Sequence, residues 1–342
     1  MKIAIFHNAV NESSALDEKD TLEQVQSIEA SLRRLGHDPV RVPCTLDLSA
    51  VVDAVRLGAP DLGFNLVESL ESRGRLIHLV PTLLDSLGVR YAGASSDALL
   101  LTSHKLMAKA WMAEAGIPVV PTLAAWPDPP PGHPADEPPA AAVDRPFLIK
   151  SVWEHASVGL RGDALLAPTE WPRVRALMTE RAPALGGSCF VEPYVEGREF
   201  NLSVLSGPRG PEVLPPAEIV FRDYPEGKPR IVNYEAKWVE DSFECSHTER
   251  SFDFPASDAP LLGRLRELSL AAWHRFGLRG WARVDFRVAP EGPLVLEVNA
   301  NPCISPGAGF AAAVDRAGLG YDEAVRRILA DVGPTPAPRS PA

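Results

Sequence analysis

Residues 280–302, GWARVDFRVAPEGPLVLEVNANP, are the most informative segment of the chain. WARVDFRV and LVLEVNAN are both β-type runs, separated by the turn signal APEGP, so the spacing predicts an antiparallel hairpin. Side chains alternate faces along a strand, which places Glu297 and Asn299 together, and pairing across the turn adds Asp285 to the same face. Two carboxylates and an amide supply oxygen ligands for a hard divalent cation, Mg²⁺ or Mn²⁺, that shares its coordination with phosphates. The competing reading is an amphipathic hairpin with solvated carboxylates; Glu297, which interrupts the apolar run in VLEV, weighs against it. Arg283 falls on the face of Asp285 by the same alternation, either as its ion-pair partner or as an anion binder.

Outward from the hairpin, the remainder of the chain reads as α/β. KIAIF at 2–6, a helical TLEQVQSIEASLRRLGH ending at Gly36, and then VRVP, DLSAVVDAVRLG, DLGFNLV, LIHLVPTLLDSLG and VRYAG alternate strand and helix over 1–98. Such alternation predicts an open, mainly parallel, Rossmann-like sheet. A second unit, 99–190, starts with TSHKLMAKAWMAEAG, where Ser103 is a candidate cap and Leu106, Met107, Ala110, Trp111 and Ala113 the expected inward face. PVVPTLAA then reads as a strand, and the Pro- and Ala-rich segment 126–146 as an exposed loop. PFLIKSV and SCFVEPYV resume strand patterning, and EFNLSVLS and EVLPPAEIVF continue it in a third unit, 191–332, where LLGRLRELSLAAWHRFG is a helix capped by Gly277. The tail 333–342 is expected to be disordered.

At 342 residues the chain exceeds one small domain, and its net charge of −11 opposes any role resting on phosphate-backbone contacts with nucleic acid. No apolar stretch has membrane-spanning length and the first residues lack a cleavage site, so neither a membrane span nor a secretion signal is expected. Four cysteines, Cys44, Cys189, Cys245 and Cys303, lie too far apart for a metal motif or a disulfide framework, which suits a reducing cytoplasm.

Three further segments carry chemistry. In FLIKSVWEHASVGL a strand ends in Lys150 and runs into a small-residue loop that could cradle an anion with backbone N–H groups; an ordinary turn is the plain alternative. In FVEPYVEGREFNL, Glu192 leaves a strand, with Val195 three and Glu199 seven residues on; free backbone there could read an adenine edge and a later carboxylate a ribose. In NYEAKWVE, Lys237 sits between Ala236 and Trp238 and could face a cleft. Lys105 opens a helix and alone reads as a solvated lysine.

Taken in order, Lys105, Lys150, Glu192, Glu199, Lys237, Arg283, Asp285, Glu297 and Asn299, with FNLVES, VRYAGAS, TSHKLMAK, IKSVWEHASVG, VEPYVEGREF, NYEAKW, WARVDF and LEVNANP, make the chain resemble the ATP-grasp superfamily and, within it, the D-alanine-D-alanine ligase family. The resemblance spans nearly the whole chain. It implies an N-terminal parallel-sheet domain plus central and C-terminal α+β subdomains enclosing ATP. It further implies that Lys105 and Lys150 hold the phosphates under a loop of His155, Ala156, Ser157, Val158 and Gly159. Glu192 and the backbone near Val195 would read adenine, and Glu199 the ribose. Asp285, Glu297 and Asn299 would bind the metal, Lys237 would approach the transferred phosphate, and Arg283 the oxyanion of a tetrahedral intermediate.

The departures from that family concern substrates. Its ligases commonly open with a Gly-rich HGG-type turn and a Glu, and add a loop Ser and a Tyr after the EAK lysine; here FHNAVNESS, Ala156 and Trp238 stand instead. Its small carboxylate site after SPG is replaced by NPCISPGAGF, which makes Glu68, Trp238, Cys303 and Ser305 substrate-pocket candidates, with Cys303 more plainly a packed thiol. The expected activity is an ADP-forming carboxylate-amine ligase acting through an acylphosphate on amino-acid or peptide substrates other than D-alanine. A true D-alanine-D-alanine ligase and a catalytically silent ATP-binding protein are the alternatives. Partners are small molecules, and the resemblance is compatible with a homodimer.

Overall fold

The computed structural model describes residues 1–10, 16–127, 145–155, 157–160 and 164–333, with residues 16–19 described by their backbone alone. Among these residues three sheets are formed. The first joins β1 (Lys2–Asn8), β2 (Asp38–Cys44), β3 (Leu62–Leu66) and β4 (Tyr91–Ala92) in the order β2-β1-β3-β4, all parallel. Parallel strands need crossovers, supplied here by α1 (Leu16–Arg34), α2 (Ser49–Arg56) and α3 (Leu79–Ser86). Ile3 and Ile5 enter one core with α1, while Ala4 and Phe6 enter another with α2 and α3, so both faces are covered and the run from Ile3 to Phe6 is wholly apolar.

α4 (Ser96–Ser103) and α5 (Lys105–Glu114) lead into a small antiparallel sheet, β5 (Ala124–Trp126), β6 (Phe147–Ser151), β7 (Leu165–Leu166) and β8 (Cys189–Pro193), ordered β5-β8-β6-β7. α6 (Val174–Arg181) closes its core through Val174, Leu177 and Met178. The largest sheet contains β9 (Arg198–Leu205), β10 (Glu212–Val213), β11 (Ala217–Phe221), β12 (Thr248–Ser251), β13 (Trp281–Ala289) and β14 (Gly292–Asn299), with β13 between β9 and β14. Two short helices, α7 (Tyr234–Trp238) and α8 (Phe243–Ser246), bridge β11 and β12.

Alternation along β13 sends Ala282, Val284 and Phe286 into the core formed with α9 (Ala259–Phe276), leaving Arg283, Asp285 and Arg287 for the opposite face. α9 ends, as its pattern predicts, on Gly277 in the left-handed conformation (φ 59°). After β14 the chain turns back: α10 (Gly309–Arg316) and α11 (Tyr321–Ala330) bury Phe310, Val314 and Ile328 with Ile3, Ile5 and Phe64 of the first sheet. The same core takes in Leu205 of β9 and Trp281 of β13, so the C-terminal helices join the first sheet to the one they follow.

Several local expectations are corrected. His104, not Ser103, caps α5, its Nδ1 accepting from Met107 N at 3.2 Å, and Ser103 closes α4 instead. The buried face of α5 is Ala108, Lys109 and Met112, whereas Met107 and Trp111 remain 40% and 39% exposed. The inward face rotates because Lys109 finds a buried carboxylate and Trp111 is covered by the Arg275 guanidinium, 4.0 Å from its ring. PVVPTLAA contributes only Ala124 and Ala125 to β5, and EVLPPAEIVF is divided into β10 and β11 at Pro215 and Pro216, which offer no N–H to a ladder. Trp126 belongs to β5, and most of the Pro-rich segment, 128–144, together with 334–342, lies outside the described residues.

Candidate functional site

The central and largest sheets face each other across a cleft with about 880 Å³ of empty space, open solvent at its mouth included. Lys105, Lys150, His155, Ser157, Val158, Glu192, Val195, Glu199, Lys237, Asp285 and Glu297 all line it. They come from six separate segments, so the tertiary fold, and no single motif, assembles the site.

On the floor, β13 and β14 pair with Asp285 opposite Glu297 and Arg283 opposite Asn299, and a bulge follows Asp285. Arg283 donates two hydrogen bonds to Asp285, at 2.7 and 2.8 Å, and Asn201 Nδ2 donates another at 2.8 Å. Asn299 Nδ2 lies 3.2 Å from Asp285 Oδ2 and 3.3 Å from Glu297 Oε1. An amide spanning two carboxylates marks a point where three side-chain oxygens converge once the amide is turned, and this donor set fits Mg²⁺. Burial raises the Asp285 pKa against the pull of Arg283. Burial pushes Glu297 in the same direction, but Lys105 and Lys237 outweigh it and hold that carboxyl low.

The wall is cationic. Lys105 stands at the start of α5 with its Nζ donating to Glu154 O at 2.5 Å, and burial lowers its pKa, opposed by Glu297. Lys150 Nζ sits 2.5 Å from Glu192 Oε1. Lys237, on α7, keeps solvent access along the cleft; the protein packed around it and the Arg283 guanidinium lower its pKa.

The loop after β6 is tied down at two points. His155 Nε2 shares a hydrogen bond with Ser103 Oγ at 3.3 Å, and Ser157 Oγ donates to Val232 O at 2.8 Å, ahead of α7. Burial, with Lys105 nearby, pushes His155 down to about 4, so the ring is neutral at pH 7. Gly159 turns with φ 78°, and a Cβ there would meet Leu185 Cδ2 at 2.1 Å. Ala156 lies outside the described residues.

Sequence reasoning overlooked two members. Arg287 ion-pairs with Glu199 at 2.8 Å and donates to Gly197 O at 3.1 Å; one further step of the alternation from Arg283 through Asp285 would have found it. Lys109 pairs with Glu192 and donates to Val120 O at 2.9 Å. It stands one helical turn beyond Lys105, yet nothing local indicated a carboxylate 83 residues away.

The remaining candidates form a separate group. Cys303 Sγ donates to Asp20 Oδ2 at 2.8 Å and contacts Ser305 Oγ at 3.0 Å, while Gln24 joins Glu68 Oε1 (3.0 Å) to Ile304 N (3.0 Å). Burial, reinforced by the charges of Glu68 and Asp20, pushes the Cys303 thiol strongly upward, which disfavours a nucleophilic thiolate. Neither this group nor Trp238 lines the cleft described above. No described helix is long and apolar enough to cross a membrane.

Comparison with known proteins identifies relatives of this chain. The family model for the D-ala D-ala ligase C-terminus matches residues 111–330. The D-alanine-D-alanine ligase of Oleidesulfovibrio alaskensis is 30% identical over 322 residues, covering 92% of each chain. That of a Synechococcus strain is 34% identical over 255 residues, 74% of this chain and 71% of the relative. The crystal structure of the Bacillus anthracis ligase complexed with ATP covers 97% of both chains with a TM-score of 0.71 at 17% identity, a likeness of fold. By sequence and by fold, the chain belongs to the D-alanine-D-alanine ligase family of ATP-grasp ligases.

Proposed function

We propose that the chain moves the γ-phosphoryl group of ATP onto a substrate carboxylate and joins the resulting acylphosphate to an amine, acting on an amino acid or peptide substrate other than D-alanine. A carboxylate is a poor electrophile because its leaving group would be oxide. Phosphorylation with loss of ADP provides a good leaving group, and a neutral amine then expels phosphate. Residues 1–98, 99–190 and 191–332 would be the three parts enclosing this chemistry.

In this reading Lys105 and Lys150 take the phosphates beneath the loop running from His155 to Gly159. Glu192 and the backbone at Val195 receive adenine, and Glu199, steadied by Arg287, receives the ribose. Asp285, Glu297 and Asn299 would hold Mg²⁺, which supplies positive charge against the phosphates. Lys237 meets the transferred phosphoryl group, and Arg283, oriented by Asp285, meets the oxyanion. The observation that carries the reading is the convergence of Lys105, Lys150 and Lys237 with Asp285 and Glu297 in one cleft, cations facing carboxylates that a metal would bridge to phosphates.

The second reading, ligation of two D-alanines, is favoured by the names of relatives 30 to 34% identical to this chain. Trp238 and NPCISPGAGF, where the resembled ligases carry a Tyr and a small carboxylate site, favour the first. Incubation with ATP, Mg²⁺ and an amino-acid library, following ADP and phosphate and identifying the product by mass, decides between them. Absence of ADP release with every pair would overturn both.

A further inference from the structure

Glu192 has two cations, and they are not equivalent. Lys109 approaches from α5, is 5% exposed and stands outside the residues lining the cleft. Its ammonium is committed to Glu192 Oε2, to Val120 O at 2.9 Å and to the face of Phe190, whose centroid is 4.8 Å away. Lys150 approaches from β6 and lines the cleft, and its partner among the described residues is Glu192 Oε1 at 2.5 Å. Glu192 itself is 2% exposed. Burial pushes its carboxyl up, but Lys109 and Lys150 outweigh that and hold it at about 2.

Two lysines share the two oxygens of one carboxylate, so an anion arriving in the cleft can take one of them and still leave the carboxylate paired. Given the nucleotide reading above, that anion is the polyphosphate, and the lysine able to meet it is the one lining the cleft. Departure of Lys150 would strand a buried carboxylate if no second cation remained. We propose that Lys109 is a positioning residue for the purine: it is the permanent counter-ion of Glu192, keeping that carboxylate ionised and aimed into the cleft while Lys150 transfers to the phosphates. Glu192 then accepts a hydrogen bond from the exocyclic amino group of adenine, and the discrimination of adenine from a 6-oxopurine depends on Lys109, a residue that touches neither base nor phosphate.

The test compares the Kd of ATP with that of ITP, which carries oxygen in place of the amino group, by titration calorimetry on the full chain with Mg²⁺. The wild type should prefer ATP. Lys109→Met should lose about tenfold of that preference, the worth of a hydrogen bond to a charged group, and Lys109→Arg should retain it. The double variant Lys109→Met/Glu192→Gln, which removes both members of the Lys109–Glu192 pair together, should show the ratio of Glu192→Gln alone. It keeps the comparison informative if Lys109→Met does not fold. A lowered melting temperature with an unchanged ATP-to-ITP ratio in Lys109→Met overturns the proposal, as does a double variant whose ratio falls well below that of Glu192→Gln. A wild type that binds neither nucleotide refutes the nucleotide reading itself, whereas a wild-type preference preserved in Lys109→Met refutes the role of Lys109 alone.

Discussion

Asp285 and Glu297 stand directly opposite each other across β13 and β14, with the Asn299 amide within 3.3 Å of both. Two carboxylates this close repel unless cations intervene. Arg283 neutralises Asp285, and Lys105 and Lys237 act on Glu297, so the pair is held open at the floor of the cleft.

Asp285→Asn and Glu297→Gln should each lower Mg²⁺-dependent ADP formation about 100-fold or more while the circular dichroism spectrum stays native, because each removes a charge that holds the metal to the phosphates. Near-normal turnover in both variants would sink the metal assignment.

Lys105→Ala and Lys150→Ala should each weaken ATP binding by about 10- to 100-fold, the range for a charge-assisted hydrogen bond in a partly closed site. Calorimetry reads this directly, and unchanged affinity in both would remove these lysines from the phosphate site.

Gly197, in the turn between β8 and β9, has φ 149°, and a Cβ there would lie 2.0 Å from the Val288 carbonyl oxygen. Backbone cannot swing aside as a side-chain tip can. Gly197→Ala should therefore destabilise the protein by about 2–4 kcal/mol and weaken nucleotide binding through the displaced Glu199, as urea melts and calorimetry would show.

His155 is held neutral, with its pKa pushed down to about 4 from an ordinary 6.5. Below pH 6.5 the unfolded chain takes up a proton that the folded loop refuses, so stability is full above that value and is lost as the pH falls toward 4. His155→Gln should show a smaller drop in melting temperature between pH 7 and pH 4 than the wild type. Equal drops would mean that the folded ring takes up its proton as readily as the unfolded one.

D-Alanine alone should support less ADP release than the best pair from a panel of bulkier amino acids and short peptides. An indole at Trp238 fills space and favours apolar or planar groups, whereas a site built on hydroxyls selects by hydrogen bonds. D-Alanine dipeptide synthesis exceeding every other combination would establish the second reading.

Period and spacing sufficed for the parts of this protein that are local. The alternation in WARVDFRV and LEVNAN places Asp285, Glu297 and Asn299 on one face because a strand turns every side chain by half a rotation per residue, whatever surrounds it. The alternating strands and helices of residues 1–98 read as a parallel sheet for the same reason: each element buries one stripe or both faces, and the stripe is written in the sequence. Local rules misplaced the buried face of α5, because there a distant partner outweighs hydrophobicity. Lys109 is buried by Glu192, 83 residues away, and Trp111 is left outside on Arg275, 164 residues away. Likewise, Cys303 meets Asp20 only because α10 and α11 return to the first sheet and bring the loop before them against α1. Pairings of this kind are settled by how finished elements pack, because a buried charge must find its counter-charge and the packing sets which one lies within reach.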